Sequence, residues 1–519
     1  MFQGLAQFLS SITAINWFAI FSAISLFVHA LGVVNAGHAV MNVKSSRSAI
    51  AWSMALISFP WVTIPLYWIL GKRKFKGYSE ALKIAYGEHQ DIVRQAYDEI
   101  LQFKAHLPPE FAALERLADR FTSLPFTTHN TLELLVDGEQ TYASMLDAIA
   151  QAKTYILFQT YIIHDDDISN QFKDALIAKA QQGVRVYLLY DGLGSRTLPR
   201  RYIDALRESG VAVSSFRSSQ GRGIRFQLNF RNHRKILIVD GETAFTGGLN
   251  IGDEYLGKDP NLGDWRDTHT KVVGPAVKCL QRTLLGDWYW AERDVPDVDW
   301  TIEQRPEKPT EAIAQTSPEF TGQTAFILAT GPADPLQSCS LFFLNLINHA
   351  KERLWIASPY FVPDGSTLNA LKLAAIRGVD VRLILPHRPD QRLVYFCSFS
   401  YYEELRQVGI QVYRHQPGFM HQKVILCDAA IAGVGTVNLD NRSFFLNFEV
   451  MAFAVNHTPP VSGHEPSQES ETTRFIHSVE KMLQDDLETS RVVDLSKYQS
   501  KPIWFKLAAR VSRLLAPIL

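Results

Sequence analysis

The stretch Asn232-His233-Arg234-Lys235-Ile236-Leu237-Ile238-Val239-Asp240-Gly241 has a counterpart in Met420-His421-Gln422-Lys423-Val424-Ile425-Leu426-Cys427-Asp428. Both read HxKxxxxD, a pattern expected by chance about 0.03 times in a chain of this composition. Four apolar residues separate each Lys from its Asp, as in a buried strand. Residues two apart on a strand share a face, so each motif sets an imidazole beside an ammonium. Asp240 lies off that face and with Gly241 makes a turn signal between two apolar runs. The two aspartates therefore read as frame more than as reacting groups. A glycine follows each histidine by fourteen residues (Gly247, Gly435) and an asparagine by seventeen (Asn250, Asn438).

Around the motifs the chain repeats itself. Tyr155–Ile163, Ser169–Gln182, Val184–Tyr190, Arg201–Glu208 and Val211–Ser215 alternate strand and helix patterns. Arg353–Ser358, Thr367–Arg377, Val379–Leu385, Tyr401–Gln407 and Ile410–Arg414 repeat that order. A period of about 190 residues means two related α/β domains, each with its own sheet, rather than a solenoid. The first half holds an extra stretch before His233 with Arg217, Arg222, Arg225 and Arg231. The joint falls in the Pro-, Glu- and Gln-rich segment 301–321. A second polar insert, 457–472, shows no periodicity and reads as a mobile loop.

The 519 residues exceed one ordinary domain. Net charge is −1, which gives no support to a nucleic-acid partner. Cys279, Cys339, Cys397 and Cys427 form no CxxC pair, so neither a disulfide frame nor a zinc site is expected. The first charged residue is Lys44, preceded by an apolar run over about 15–34; a second uncharged run covers 48–71. Each is long enough to cross a bilayer as a helix, so a two-helix anchor is expected. Lys72, Arg73, Lys74 and Lys76 follow it, against Lys44 and Arg47 in the connecting loop, which places the catalytic part on the cytoplasmic side. At the other end, Trp504, Phe505, Leu507, Ala508, Val511, Leu514 and Leu515 follow helical spacing, with Lys506, Arg510 and Arg513 between them. Such a helix suits either the membrane interface or packing on the domain.

The paired motifs resemble the phospholipase D superfamily. Gly247-Gly248-Leu249-Asn250-Ile251, Asp253-Glu254-Tyr255-Leu256 and Trp265-Arg266-Asp267-Thr268-His269 are similar to the first half of bacterial cardiolipin synthases. Ser358-Pro359-Tyr360-Phe361-Val362-Pro363-Asp364, Asn438-Leu439-Asp440-Asn441-Arg442-Ser443 and Asn447-Phe448-Glu449 are similar to the second. The pattern departs at Gly248, where the superfamily often has Ser, and at Thr436; these bear on a hydroxyl contact and not on the reaction class.

The resemblance implies an α/β fold of two phospholipase D-like sheet domains in a pseudo-two-fold arrangement, preceded by two transmembrane helices. The expected division is an anchor over 1–75, a helical connection over 76–130, domains at 131–300 and 322–500 joined by the 301–321 linker, and an amphipathic helix at 501–519. It implies phosphatidyl transfer from one phosphatidylglycerol to another, giving cardiolipin and glycerol, in a multi-pass protein of the bacterial inner membrane. Phosphodiester hydrolysis, or a non-catalytic membrane scaffold, are the alternatives.

The residues support this chemistry independently. One imidazole can attack phosphorus and form a phosphohistidine, and the other can protonate the leaving oxygen and deprotonate the incoming alcohol. An imidazole pKa of about 6.5 suits both roles. By family precedent His233 is the nucleophile and His421 the acid/base. The candidate catalytic set is His233, Lys235, Asp240, His421, Lys423 and Asp428. Lys235, Lys423, Asn250 and Asn438 can hold the non-bridging oxygens. Asp267 and Glu449, 34 and 28 residues after the histidines of their own halves, would by resemblance each bond the far nitrogen of a His. No metal or other cofactor is expected, since each Lys supplies the charge a metal would. His164 with Asp165, Asp166 and Asp167 reads as a solvated turn.

Overall fold

The computed structural model describes residues 17–43, 45–71, 74–121, 124–218, 229–302, 322–456, 471–494 and 500–518. Most of the 301–321 linker, the 457–470 part of the polar insert, and Lys44, Lys72, Arg73, Arg222 and Arg225 lie outside them. The chain divides into two compact units, Met1–Phe75 with Ser218–Asn229, and Lys76–Arg217 with Phe230–Leu519.

In the smaller unit, α1 (Trp17–Asn42), α2 (Ser46–Ser58) and α3 (Pro60–Leu70) follow one another. α1 exposes Phe21, Leu26, Phe27 and Val34. An uncharged helix with bare apolar flanks belongs in lipid rather than in a protein core. Ala19–Asn42 is, among the described residues, the one helix long and apolar enough to cross a membrane. The second expected crossing, 48–71, is not one continuous helix. It is split at Phe59, which leaves the helical region (φ −135°, ψ 56°). Pro60 is the cause, because it offers no N–H and its ring clashes with a helical residue before it. The resulting helices of 13 and 11 residues each fall short of the roughly 20 a spanning helix needs. Within this unit Trp68 Nε1 donates to Asn35 Oδ1 at 2.9 Å, and His38 Nδ1 lies 2.7 Å from the Tyr67 hydroxyl.

The larger unit begins with α4 (Lys76–Glu88), α5 (Gln90–Leu101) and α6 (Ala112–Phe121). The first half then runs β1 (Thr127–Val136), α7 (Asp137–Gln151), β2 (Tyr155–Thr160), α8 (Asp167–Gln181), β3 (Arg185–Asp191), α9 (Arg200–Glu208), β4 (Ala212–Phe216), β5 (Arg231–Asn232), β6 (Ile236–Val239), β7 (Thr243–Gly247), β8 (Trp265–Arg266), β9 (Thr268–Val273) and α10 (Ala276–Glu292). The second runs β10 (Gln323–Thr330), α11 (Ser338–His349), β11 (Arg353–Ala357), β12 (Phe361–Val362), α12 (Gly365–Ile376), β13 (Asp380–Pro386), α13 (Arg392–Phe399), α14 (Tyr402–Gln407), β14 (Gln411–His415), β15 (Phe419–Met420), β16 (Val424–Cys427), β17 (Ile431–Gly435), β18 (Leu439–Asp440), α15 (Asn441–Phe445), β19 (Asn447–Val455), α16 (Glu471–Glu488), β20 (Ser490–Val492) and α17 (Ile503–Leu514).

The repeat is visible in the pairing. β2, β3 and β4 are parallel neighbours, as are β11, β13 and β14. Each set is extended by antiparallel hairpins, β6–β7 and β16–β17. Apolar cores lie beneath each half, Phe158, Phe172 and Leu237 in one, Phe342, Ile356 and Ile425 in the other. The two sheets are not separate, however. β1 pairs with both β9 and β10, and β10 with β19, so the halves merge into one sheet of 16 strands. Fusing the sheets removes two edges whose bare N–H and C=O groups would otherwise need cover.

α17 docks through one face. Phe505 packs on Phe396 and Phe399 of α13, both at 5.2 Å between ring centres, and Arg513 pairs with Glu404 at 2.9 Å. Ile503, Trp504, Leu507, Val511 and Leu514 stay bare, Ile503 83% exposed and Trp504 63%. The helix thus packs on the domain and still presents an apolar flank.

Candidate active site

Each His–Lys pair sits in an extended segment just before its strand rather than in it. His233 to Lys235 link β5 to β6, and His421 to Lys423 link β15 to β16. The strand placement expected for these pairs is therefore shifted. The reason is that each segment first bonds to the other half. β5 pairs with β19 and β15 with β8. The His233 N–H donates to the Phe448 carbonyl at 2.9 Å and the His421 N–H to the Arg266 carbonyl at 2.8 Å.

This crossing brings in the carboxylates. His233 Nδ1 lies 2.9 Å from Glu449 Oε2, and His421 Nδ1 lies 2.8 Å from Asp267 Oδ2. Each histidine is thus held by the acid of the opposite half, a pairing that sequence spacing leaves open. For His233, with the carboxylate as acceptor, Nδ1 carries the proton and Nε2 keeps its lone pair, while His421 Nδ1 also lies 2.7 Å from Lys423 Nζ. Glu449 is held in turn by the hydroxyls of Thr436 and Ser443 and by Asn447 Nδ2. Asp267 accepts from the Thr268 N–H at 2.8 Å and Trp265 Nε1 at 3.3 Å. The departures at Gly248 and Thr436 fall here. Thr436 supplies a hydroxyl to Glu449, while a Cβ at Gly248 would overlap the Asp267 carboxylate.

Both lysines are buried. Lys235 Nζ donates to the His233 carbonyl at 2.9 Å and lies 5.4 Å from the Tyr161 ring centre; Lys423 donates to the His421 carbonyl. Burial, reinforced by the Lys423 ammonium, brings Lys235 from 10.5 down to about 7. Burial brings Lys423 down to about 8, against the pull of Asp267 and Glu449. His233 is lowered by burial despite Glu449, and also feels Lys423. His421 is lowered to about 4 by burial and then by Lys423. These cross-influences put both half-sites in one electrostatic environment. Both imidazoles are thus held below the ordinary histidine value, each with Nδ1 against a carboxylate.

Asp240 and Asp428 both have φ 55°, a left-handed turn that Asp tolerates. The Asp240 carboxylate accepts the N–H groups of Lys153, Thr154 and Tyr155 at 2.7 to 2.9 Å. That of Asp428 accepts those of Lys351, Glu352 and Arg353. Each ties its motif strand to the start of the neighbouring one, away from the histidines. Asn250 uses its amide on the Ile162 N–H at 3.2 Å and the Tyr255 hydroxyl at 2.7 Å, so both polar atoms have protein partners. Asn438 differs, for its Oδ1 is buried with no partner among the described residues. His164 pairs with Glu254 at 3.4 Å, and Asp166 caps α8 through the Ser169 N–H at 3.1 Å.

Sequence reasoning passed over the residue between His and Lys. Arg234 makes a two-pronged ion pair with Asp287 of α10, at 2.9 and 2.8 Å, and bonds the carbonyls of Glu449 and Thr330. Its counterpart Gln422 bonds Asp486 of α16 at 2.8 Å. The signal was the strand alternation itself, which turns the middle residue away from the site and into the protein. Two tyrosines were also missed as site neighbours. Tyr161 stands 5.0 Å from the His233 ring and Tyr360 6.4 Å from that of His421.

Known proteins share this architecture. The sequence profile described as "Cardiolipin synthase, PLD-like domain" matches residues 145–263 and 343–464. The chain is similar to cardiolipin synthase A of Pseudomonas fluorescens strain SBW25, 42% identical over 95% of this chain and 97% of that one. It is 40% identical to cardiolipin synthase A of Pseudomonas entomophila strain L48, over the same shares. Among solved structures, phosphatidylserine synthase of Haemophilus influenzae Rd KW20 superposes with a TM-score of 0.55 at 14% identity, covering 79% of this chain and all of that one. The last likeness shows the fold alone. With the sequence relatives spanning nearly the whole chain, this protein belongs to the cardiolipin synthase family of phospholipase D-like phosphatidyltransferases.

Proposed function

We propose that the cleft transfers a phosphatidyl group from one phosphatidylglycerol to a second, giving cardiolipin and glycerol. His421 takes up a proton on Nε2 as the anionic phosphodiester binds; His233 Nε2 attacks phosphorus, the bond to the glycerol oxygen breaks, and that oxygen takes the proton from His421 Nε2. The terminal hydroxyl of the second lipid then loses its proton to His421 and attacks phosphorus. The P–N bond breaks and His233 is restored. Lys235, Lys423 and Asn438 hold the non-bridging oxygens. Asp240 and Asp428 act only through the frame. One observation carries this reading: both imidazoles have Nδ1 tied to a buried carboxylate, beside two buried ammonium groups. That arrangement supplies a nucleophile, a proton carrier and charge for one phosphodiester. Vesicles of phosphatidylglycerol should yield cardiolipin and free glycerol in equal amounts, and added glycerol should suppress the yield. Phosphatidic acid as the main product would replace transfer by hydrolysis.

The lysines set the expected pH dependence. A lysine whose pKa is lowered loses its charge as pH rises through that value. Lys235 at about 7 and Lys423 at about 8 therefore give kcat/KM an alkaline limb in that range, well below ordinary lysine. A bound phosphodiester adds negative charge and raises both lysines and His421, so binding takes up protons. In uncharged detergent micelles, kcat/KM should fall steadily above pH 8. A profile flat to pH 10 would mean that the lysines are not the phosphate cations.

The family is a bacterial membrane family, and α1 supplies an apolar helix of spanning length. We further propose a multi-pass anchor in the inner membrane, with α2 and α3 entering the bilayer as a broken pair and the catalytic unit on the cytoplasmic side. Lys74 and Lys76, with Lys72 and Arg73, support the sidedness. A single cysteine placed after Gly77 should resist a membrane-impermeant maleimide in intact cells. Its labelling from outside would reverse the topology.

A further inference from the structure

Exchange at phosphorus is in line, so nucleophile and alcohol take opposite sides of the phosphoryl group. With His233 attacking, the leaving glycerol and the entering hydroxyl both sit on the His421 side. The groups bordering His421 are then the ones that read the alcohol.

The two half-sites differ at this border. Beside His233, the buried Tyr161 phenol lies in the field of Asp191, then of Arg231 and Arg442. The Asp191 carboxylate is taken up by the N–H groups of Leu193, Gly194 and Asn232, at 2.9, 2.8 and 3.0 Å. That side holds two guanidinium groups, with Asp191 and Glu449 against them. Beside His421, the Tyr360 hydroxyl donates to Asp390 Oδ2, and Gln391 Nε2 donates to the same hydroxyl at 3.2 Å. Asp390 and Gln391 are exposed, on the turn between β13 and α13. Asp390 is also close enough to Lys423 to act on its charge.

A carboxylate at the rim of an anion-binding cleft works against phosphate, since like charges repel. Its presence calls for a ligand with hydroxyl donors. A glycerol headgroup has them, because one hydroxyl reacts and its neighbour remains free to bond. A carboxylate, an amide and a phenol linked by hydrogen bonds form a suitable reader of that free hydroxyl.

We propose that Asp390, Gln391 and Tyr360 form the alcohol subsite, which hydrogen-bonds the non-reacting hydroxyl of a glycerol-type headgroup and so favours polyol acceptors over simple alcohols. The proposal rests on the transferase reading above, with His233 as nucleophile. A subsite built to bond a hydroxyl discriminates strongly against an alcohol that lacks it.

The test offers deuterated glycerol and 1-propanol at equal concentration to the full-length enzyme in phosphatidylglycerol vesicles. Labelled phosphatidylglycerol and phosphatidylpropanol are counted by mass spectrometry. The wild type should favour glycerol. Asp390→Ala and Gln391→Ala should each lower the glycerol-to-propanol ratio at least about tenfold, with Asp390→Asn between them and the wild type. The ratio is internal to each preparation, so partial loss of folded enzyme does not move it. A ratio unchanged in Asp390→Ala and Gln391→Ala, whether or not total transfer falls, would overturn the subsite and leave Asp390 only holding Tyr360. If Arg231→Ala shifts the ratio instead, the alcohol lies on the His233 side and the proposal fails. If the wild type transfers to neither alcohol and releases phosphatidic acid, the transferase reading itself fails, a result distinct from the other two.

Discussion

His233→Ala and His421→Ala should each lower turnover by about a thousandfold or more, because nucleophile and proton carrier act as one unit. The two losses should differ in kind. Without His233 no covalent intermediate can form, whatever the leaving group. Without His421 the leaving alkoxide lacks a proton, a defect that a good leaving group repairs. With a p-nitrophenyl ester of phosphatidic acid, His421→Ala should therefore release a burst of nitrophenol and stall as phosphatidyl-enzyme. His233→Ala should release none. The reverse pattern would exchange the two roles. Near-normal activity in His421→Ala would remove it from the chemistry altogether.

The second large effect tests the exchange of carboxylates between halves. Glu449→Gln and Asp267→Asn keep shape but remove the charge that fixes the imidazole tautomer, a loss of about 10²- to 10⁴-fold in comparable His–carboxylate pairs. Glu449 lies 2.9 Å from His233, although it follows His421 in sequence. Glu449→Gln should thus resemble His233→Ala and fail before nitrophenol release. Asp267, bonded to His421, should resemble His421→Ala and be rescued by the activated ester. If Asp267→Asn blocks nitrophenol release and Glu449→Gln does not, each acid serves its own half and the crossing has no functional meaning.

The site is legible in the sequence to an unequal degree. Asp240 could be read as frame because a turn signal is local: five residues past the lysine, beside Gly241, an aspartate has few other uses, and Asp428 follows by its equivalent place in the repeated motif. Asn250 could not be separated from Asn438, since their spacing is identical. Only the surroundings differ, with the Tyr255 hydroxyl and the Ile162 N–H taking up the first amide while the second keeps a bare oxygen. The break at Pro60 was available in the sequence but was outweighed by the absence of charge. Hydrophobicity measures affinity for lipid, whereas continuity of a helix depends on one missing N–H.

The sequence by itself determined the duplicated α/β units, the two His–Lys pairs and the strand-helix alternation. These follow from periodicity and turn chemistry, which act over a few residues. Tertiary structure alone decided that the two sheets fuse through β1 and β10, that β5 and β15 cross to the opposite half, and that each histidine meets the other half's acid. Such pairings join residues 154 and 216 positions apart. Nothing local encodes them. They are set by which strand edges remain unpaired once each half has formed, and by the cost of leaving a buried carboxylate without a partner.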